Sequence, residues 1–187
     1  LAALLPGRDI VMPRVCVNPT RIGFLEVVRR MGATVTLVSA EDVGGEPVAT
    51  IRASGRDSLA SVTVGAAEMP SMIDEIPMLA CLASRAEGET VITGASELRH
   101  KESDRIAAVV RNLQAIGVEA EELTDGMTIR GSNAALSGTV ETHGDHRIAM
   151  AFGVLGAATG GGIHIVDAEC VNVSYPAFWS DLRRVAQ

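Results

Sequence analysis

Aromatic side chains are almost missing from this sequence, 3% of 187 residues, which leaves no stacking platform for single-stranded nucleic acid. Positive charge is also short: 16 Lys and Arg face 23 Asp and Glu, a formal net charge of −7. Nucleic acid is therefore not an expected partner, and any phosphate chemistry must rest on cations placed one at a time. Cysteine is scarce and scattered. Cys16, Cys81 and Cys170 form no CxxC pair, so neither a disulfide framework nor a thiolate metal site is expected, and a reducing compartment such as the cytoplasm suits them. Cys81 falls in an apolar run, where a small buried side chain is the natural reading. No apolar run reaches the ~20 residues that span a bilayer, so no membrane is expected as partner. A starting Met is lacking too. The chain opens Leu1-Ala2-Ala3-Leu4-Leu5-Pro6-Gly7, too short for a signal peptide and shaped like the tail of a helix, and it is expected to be part of a longer protein.

What is there is apolar, 47% of the residues, enough for a sizeable core. The length allows one large domain or two small ones, and repeated units around one core make a single globular domain over residues 1–187 the expected organisation. The periodicities predict a strand over Ile10 to Val17, then a helix over Arg21 to Met31 with Thr20 as cap. A strand follows from Thr34 to Val38, a link through Gly44-Gly45-Glu46-Pro47, and a strand from Ala49 to Ala53. The next pass is fuller. It has a strand at Ser61 to Val64, a helix over Ile76 to Ala86 with Met78, Leu79 and Leu82 inward, and a strand at Thr90 to Thr93. A helix over Glu102 to Ile116 follows, then a hairpin from Val118 to Glu122 and Met127 to Arg130, turning on Thr124-Asp125-Gly126. The third pass gives a strand at Thr139 to Glu141, a helix over Asp145 to Ala158, a strand at Ile163 to Val166, and a helix over Tyr175 to Val185. Thr159 to Gly162 is a helix stop, since no Lys-Ser/Thr follows as a phosphate loop needs. The fold class is α/β (α+β type): β-α-β-α-β-β units with a period of about 70 residues, complete in the middle and truncated at both ends.

Three polar turns each lead into a helix and can aim at one cleft: Met69 to Glu75, Glu97 to Arg105, and Thr142 to Arg147. Asp74 reads most simply as a helix cap or as the end of a Ser71-x-x-Asp74 box; the alternative is a base aimed into a cleft. Lys101 and Arg105 lie four apart, on one face of the predicted helix, at the end whose dipole gives cations nothing. Arg147 repeats that arrangement in the third turn, and a guanidinium there can grip a carboxylate or phosphate with two hydrogen bonds. Thr142-x-x-Asp145 fits a capping box. His143, Asp145 and His146 supply only two imidazoles beside an arginine, so no metal is expected.

Asn18-Pro19-Thr20-Arg21, Ile73-Asp74-Glu75-Ile76-Pro77, Lys101-Glu102-Ser103-Asp104-Arg105 and Gly144-Asp145-His146-Arg147-Ile148-Ala149-Met150 occur in that order. Together they resemble the 5-enolpyruvylshikimate-3-phosphate synthases, the 3-phosphoshikimate 1-carboxyvinyltransferases of the shikimate pathway, over essentially the whole chain. The resemblance implies an enolpyruvyl-transferase domain of repeated units around a shared helical core. It makes this chain the C-terminal of two domains, inactive without the N-terminal one. It implies transfer of the enolpyruvyl group from phosphoenolpyruvate to the 5-hydroxyl of shikimate 3-phosphate, releasing phosphate, with no metal or organic cofactor. By the same resemblance Asp74 is the base at the shikimate hydroxyls and Glu102 handles the methylene proton. Lys101 contacts shikimate 3-phosphate, Arg105 and Arg147 bind phosphoenolpyruvate, and Asp145 and His146 orient Arg147. Two positions depart from the family pattern: no Lys stands near Val173, and Glu97 replaces an Asn. The alternatives are a UDP-N-acetylglucosamine enolpyruvyl transferase, against which the Lys-Glu-Ser-Asp-Arg and Asp-His-Arg runs speak, and a non-catalytic partner-binding module whose polar turns are ordinary caps.

Overall fold

The computed structural model describes residues 1–55 and 57–186. Its first unit runs β1 (Asp9–Cys16), α1 (Gly23–Arg30), β2 (Thr34–Val43) and β3 (Glu46–Ser54). Both β1 and β2 pair antiparallel with β3, in the order β1-β3-β2. Pro13 cannot donate to the β1 ladder, and the register shifts around it between Met12 and Val15, with Arg14 at φ 56; a bulge absorbs the missing donor. The expected link at 44–47 is shorter than that. Gly44 and Gly45, both at positive φ, make a tight hairpin, and β3 already begins at Glu46. Thr20 is not the cap of α1. Asn18 caps a separate 3-10 turn, Pro19–Arg21, accepting from the Thr20 N–H at 3.0 Å, and α1 starts two residues later than expected.

The middle unit contains β4 (Leu59–Ala60), β5 (Thr63–Val64), α2 (Ile76–Ala83), β6 (Ala86–Glu87), β7 (Glu89–Ile92), α3 (Arg105–Ala115), β8 (Glu119–Leu123) and β9 (Gly126–Arg130). Its sheet has the order β5-β7-β9-β8, with β5 parallel to β7 and β9 antiparallel to both its neighbours. Helix α2 stops short of the expected Ala86 because Ala86 and Glu87 are taken into a parallel pairing with β4. The last unit has β10 (Gly138–Glu141), α4 (His146–Ala158), β11 (Ile163–Val166) and α5 (Phe178–Ala186), with β10 parallel to β11.

Of the four sheets among the described residues, the small β4-β6 pair stands aside and the other three follow one plan. The order β1-β3-β2 repeats the last three places of the middle sheet, and β10-β11 repeats its first parallel pair. This is the expected β-α-β-α-β-β unit, whole once and partial twice. Helix α2 packs on both α4 and α3; all of α2 except Met78 is fully buried, and Met78 is partly buried with its side chain packed against the same core. Ala80, Cys81, Ala83, Ala149, Ala151 and Gly153 are buried on α2 and α4, and such small residues let helices approach closely around larger anchors such as Leu79 and Phe152. The buried Cys81 thiol has its pKa pushed up by desolvation and stays protonated. The first unit is less well covered: an apolar groove of about 460 Å³ opens beside β1, lined by Ile10, Met12, Leu25, Val28, Leu182 and Val185 among others.

Gly126 was expected in the hairpin turn, but the turn is Thr124-Asp125 alone and Gly126 opens β9. Its φ is not positive. It is glycine because a Cβ there would collide with the Ile92 carbonyl across the β7–β9 pair. Gly126→Ala should therefore cost about 1–3 kcal/mol, an overpacking against backbone that cannot yield, read as a lower midpoint in a urea melt.

Candidate active site

The first turn, the 3-10 segment Ile73–Glu75, runs straight into α2. Asp74 caps nothing: the N-cap position belongs to Glu75, which makes no side-chain cap bond, and the Ser71 hydroxyl donates to the Glu68 carbonyl at 2.8 Å. Both structural readings of Asp74 fall. Its carboxylate faces the other two turns instead. Oδ1 accepts from Arg105 Nη1 at 3.3 Å and lies 4.0 Å from Lys101 Nζ, while Oδ2 accepts from Arg147 Nη2 at 3.1 Å. The Asp74 carbonyl accepts a further bond from Arg147 Nη1 at 3.2 Å.

The second turn departs most from expectation. Helix α3 begins at Arg105, capped by Asp104, whose side chain accepts from the Ala107 N–H at 3.0 Å. Lys101 and Glu102 thus lie ahead of the helix, and the predicted helical face shared by Lys101 and Arg105 does not exist. A short carboxylate one residue before the helix satisfies its N–H groups and fixes the start there. The turn is tied down from outside. Asp125 accepts from the Gly94 N–H, and Arg99 donates to the Thr124 and Leu123 carbonyls while bridging Asp104 and Glu122. Lys101 pairs with Glu97 at 2.8 Å, and the hydrogen bond raises the lysine pKa above its ordinary value.

Arg105 is only 1% exposed. An isolated charge cannot remain there, and three carboxylates meet it. Its Nε donates to Asp145 Oδ2 at 2.7 Å, Nη2 to Glu102 Oε2 at 2.5 Å, and Nη1 to Asp74. Asp145, in the third turn, is fully buried and also caps α4 by accepting from the Arg147 N–H at 2.9 Å. Thr142 takes no part in a capping box with it; the Thr142 hydroxyl accepts from the Gly144 N–H. Burial alone would raise the Asp145 pKa. The bond and charge of Arg105, with the Arg147 and Ile148 N–H groups, outweigh it and hold the pKa below the usual carboxylate range. The expected assignment of Asp145 is corrected accordingly: it orients the Arg105 side chain and touches only the backbone of Arg147. His146 is half-buried, and no hydrogen bond joins it to Arg147 among the described residues.

Among the described residues, the ion pairs of the cluster join three cations, Lys101, Arg105 and Arg147, to five carboxylates, Asp74, Glu75, Glu97, Glu102 and Asp145. Three turns expected to aim at one cleft do meet, with Asp74 at the centre. Ser103, which donates to Asp145 at 3.2 Å, and Glu75, 3.8 Å from Arg147, belong to it as well and were not foreseen. The signal for Asp104 was in plain view, an Asp directly before the apolar run; Glu75 carried none beyond its place next to Asp74. Among the described residues no group of three or more His, Cys, Asp or Glu could hold a metal ion. Val173 ends a 3-10 turn, Ala168–Val173, and is 86% exposed.

The family model of EPSP synthase (3-phosphoshikimate 1-carboxyvinyltransferase) matches residues 1–182. A 3-phosphoshikimate 1-carboxyvinyltransferase from Sulfurihydrogenibium sp. (strain YO3AOP1) is 50% identical over 186 residues, which are 100% of this chain and 43% of that protein. The solved EPSP synthase of Acinetobacter baumannii superposes with a TM-score of 0.91 at 39% identity, covering 99% of this chain and 43% of that one. An enolpyruvyl transferase from Streptomyces tendae shares the fold, with a TM-score of 0.68 at 20% identity over 98% of this chain. The chain thus spans less than half the length of the relatives it matches.

Proposed function

The chain belongs to the EPSP synthase family, and we propose that it forms one wall of an active site that transfers the enolpyruvyl group of phosphoenolpyruvate to the 5-hydroxyl of shikimate 3-phosphate, releasing phosphate. The observation that carries this reading is the meeting of Asp74, Arg105 and Arg147 from three separate turns. Asp74 takes the hydroxyl proton as general base. Arg105 and Arg147 grip phosphoenolpyruvate, exchanging carboxylate partners for the substrate's own anionic groups. Lys101 contacts shikimate 3-phosphate. Glu102, bonded to Arg105, moves the methylene proton. Asp145 fixes Arg105 from behind, and His146 flanks Arg147 in the first turn of α4. The reading needs no metal or organic cofactor.

Both substrates are anions, while the cluster has five carboxylates and three cations. The balance must come from a second wall. In this reading the chain is the C-terminal domain, and the N-terminal domain of the same enzyme supplies the missing cations. The share of its relatives that the chain covers, 43% of the Sulfurihydrogenibium protein, supports it. The enzyme works in the cytoplasm, where the three free cysteines stay reduced; no described helix is long and apolar enough to cross a membrane.

Alone, the chain is expected to release no phosphate from the two substrates. Joined to the remaining part of the Sulfurihydrogenibium relative, in that protein's own order, it is expected to turn over. Comparable rates with and without the added part would sink the shared-site reading, and silence from the joined protein would sink the assigned reaction.

A further inference from the structure

Glu75 occupies the N-cap position of α2, yet its side chain makes no capping bond. Short acceptors such as Ser, Thr, Asp or Asn serve there because they reach back to the helix N–H groups. The Glu75 carboxylate turns instead to Arg147, with Oε1 3.8 Å from Nη1. It is half-buried, and burial with the neighbouring Asp74 raises its pKa, although the charges of Arg147 and Arg21 pull the other way. Among the described residues the other two polar contacts of the Arg147 side chain go to Asp74, one to its carbonyl and one to its carboxylate. That carboxylate is already shared with Arg105 and Lys101. One carboxylate divided among three cations holds none of them firmly, and in the reaction it must also turn to a substrate hydroxyl.

We propose that Glu75 is a positioning residue that keeps the Arg147 guanidinium in the site while substrate engages the Asp74 carboxylate. The inference rests on the enolpyruvyl-transfer reading for its kinetic consequence, but not for its structural one. Glu75 does not touch substrate. At 3.8 Å it stands at the limit of an ion pair, so Arg147 can close on an incoming anion without leaving its anchor. Its neighbour Asp74 supplies the carbonyl that fixes the other side of the same Nη1.

The test uses the joined enzyme with Glu75→Gln, Glu75→Asp and, as a control on the distant hairpin, Glu119→Gln. Glu75→Gln is expected to raise the KM for phosphoenolpyruvate about fivefold or more with kcat within about twofold, the pattern of lost uniform binding. Glu75→Asp, one methylene shorter, falls between. Modification of Arg147 by phenylglyoxal, followed peptide by peptide, should be several-fold faster in Glu75→Gln than in wild type or Glu119→Gln. Equal Arg147 reactivity in Glu75→Gln and wild type would overturn the proposal, whatever the kinetics. Faster modification in a protein that never turns over would keep the positioning role and discard the assigned reaction.

Discussion

Asp145→Ala should lower the stability of this domain by about 3–5 kcal/mol, because it strips the buried partner from a charge that cannot reach water. Arg105 is 1% exposed and Asp145 not exposed at all, and they share two hydrogen bonds, at 2.7 and 3.4 Å. Glu102 and Asp74 also contact Arg105, but their side chains are 49% and 39% exposed, and such pairs are screened. The substitution removes the α4 cap too, worth about 1 kcal/mol. Against a typical total of about 5–15 kcal/mol, much of the population should be unfolded at working temperature. Asp145→Asn keeps the shape and the cap and loses only the charge, so its loss should be smaller. The pH dependence has a definite sign. The folded pKa of Asp145 is depressed below the ordinary 3.8, so its contribution is complete above that value and vanishes as pH falls through the folded one. The gap between wild type and Asp145→Asn in a urea titration should close in acid. A gap that persists unchanged to about pH 2 would mean that packing, not the ion pair, holds the site together.

The middle unit was legible in its main helices and in the strands of its four-stranded sheet, whose periods alternate cleanly, while the two-residue strands β4 and β6 are too short to carry a period. Ends were less legible. Helix α2 was extended through Ala86 because its apolar run continues, and only the pairing of Ala86 and Glu87 with β4 stops it; a pairing distant in sequence leaves no local mark. The start of α3 failed for a different reason. Lys101 and Glu102 have good helix propensity, and a prediction from charge spacing alone ran past the stronger local signal of Asp104. A helix dipole offers cations at its entrance nothing, and the structure meets this for Lys101 by leaving it outside the helix. Arg105 does stand at the entrance, and what holds it there is Asp145, 40 residues away. The chain's motifs named both partners of that ion pair but paired Asp145 with the wrong arginine, since Arg147 is its sequence neighbour and Arg105 its neighbour in space. Glu75 was hidden in the same way. Adjacent to a residue with an evident role, it carries no sequence signal of its own, and only its empty capping position and its approach to Arg147 set it apart.

Asp74→Asn in the joined enzyme should cut kcat by about 10²–10⁴-fold, the usual worth of a positioned general base. The substitution is chosen to spare geometry. An amide oxygen can still accept from Arg147 or Arg105, and the backbone carbonyl keeps its bond from Arg147 Nη1. What disappears is the capacity to take a proton. Because the Asp74 side chain is 39% exposed, loss of its ion pairs should cost no more than about 0–1 kcal/mol, and a thermal melt should shift by only a few degrees. The alternative, that Asp74 is a scaffold for three cations and not a base, predicts the reverse. A scaffold variant would loosen Arg105, Arg147 and Lys101 together, raising KM for both substrates while kcat stays within about tenfold of wild type. The two outcomes separate cleanly in one steady-state experiment. Comparison with Glu102→Gln then divides the proton transfers. If both carboxylates act in the same turnover, each variant alone already removes a step the other cannot replace, and the double variant should be little worse than the poorer single one.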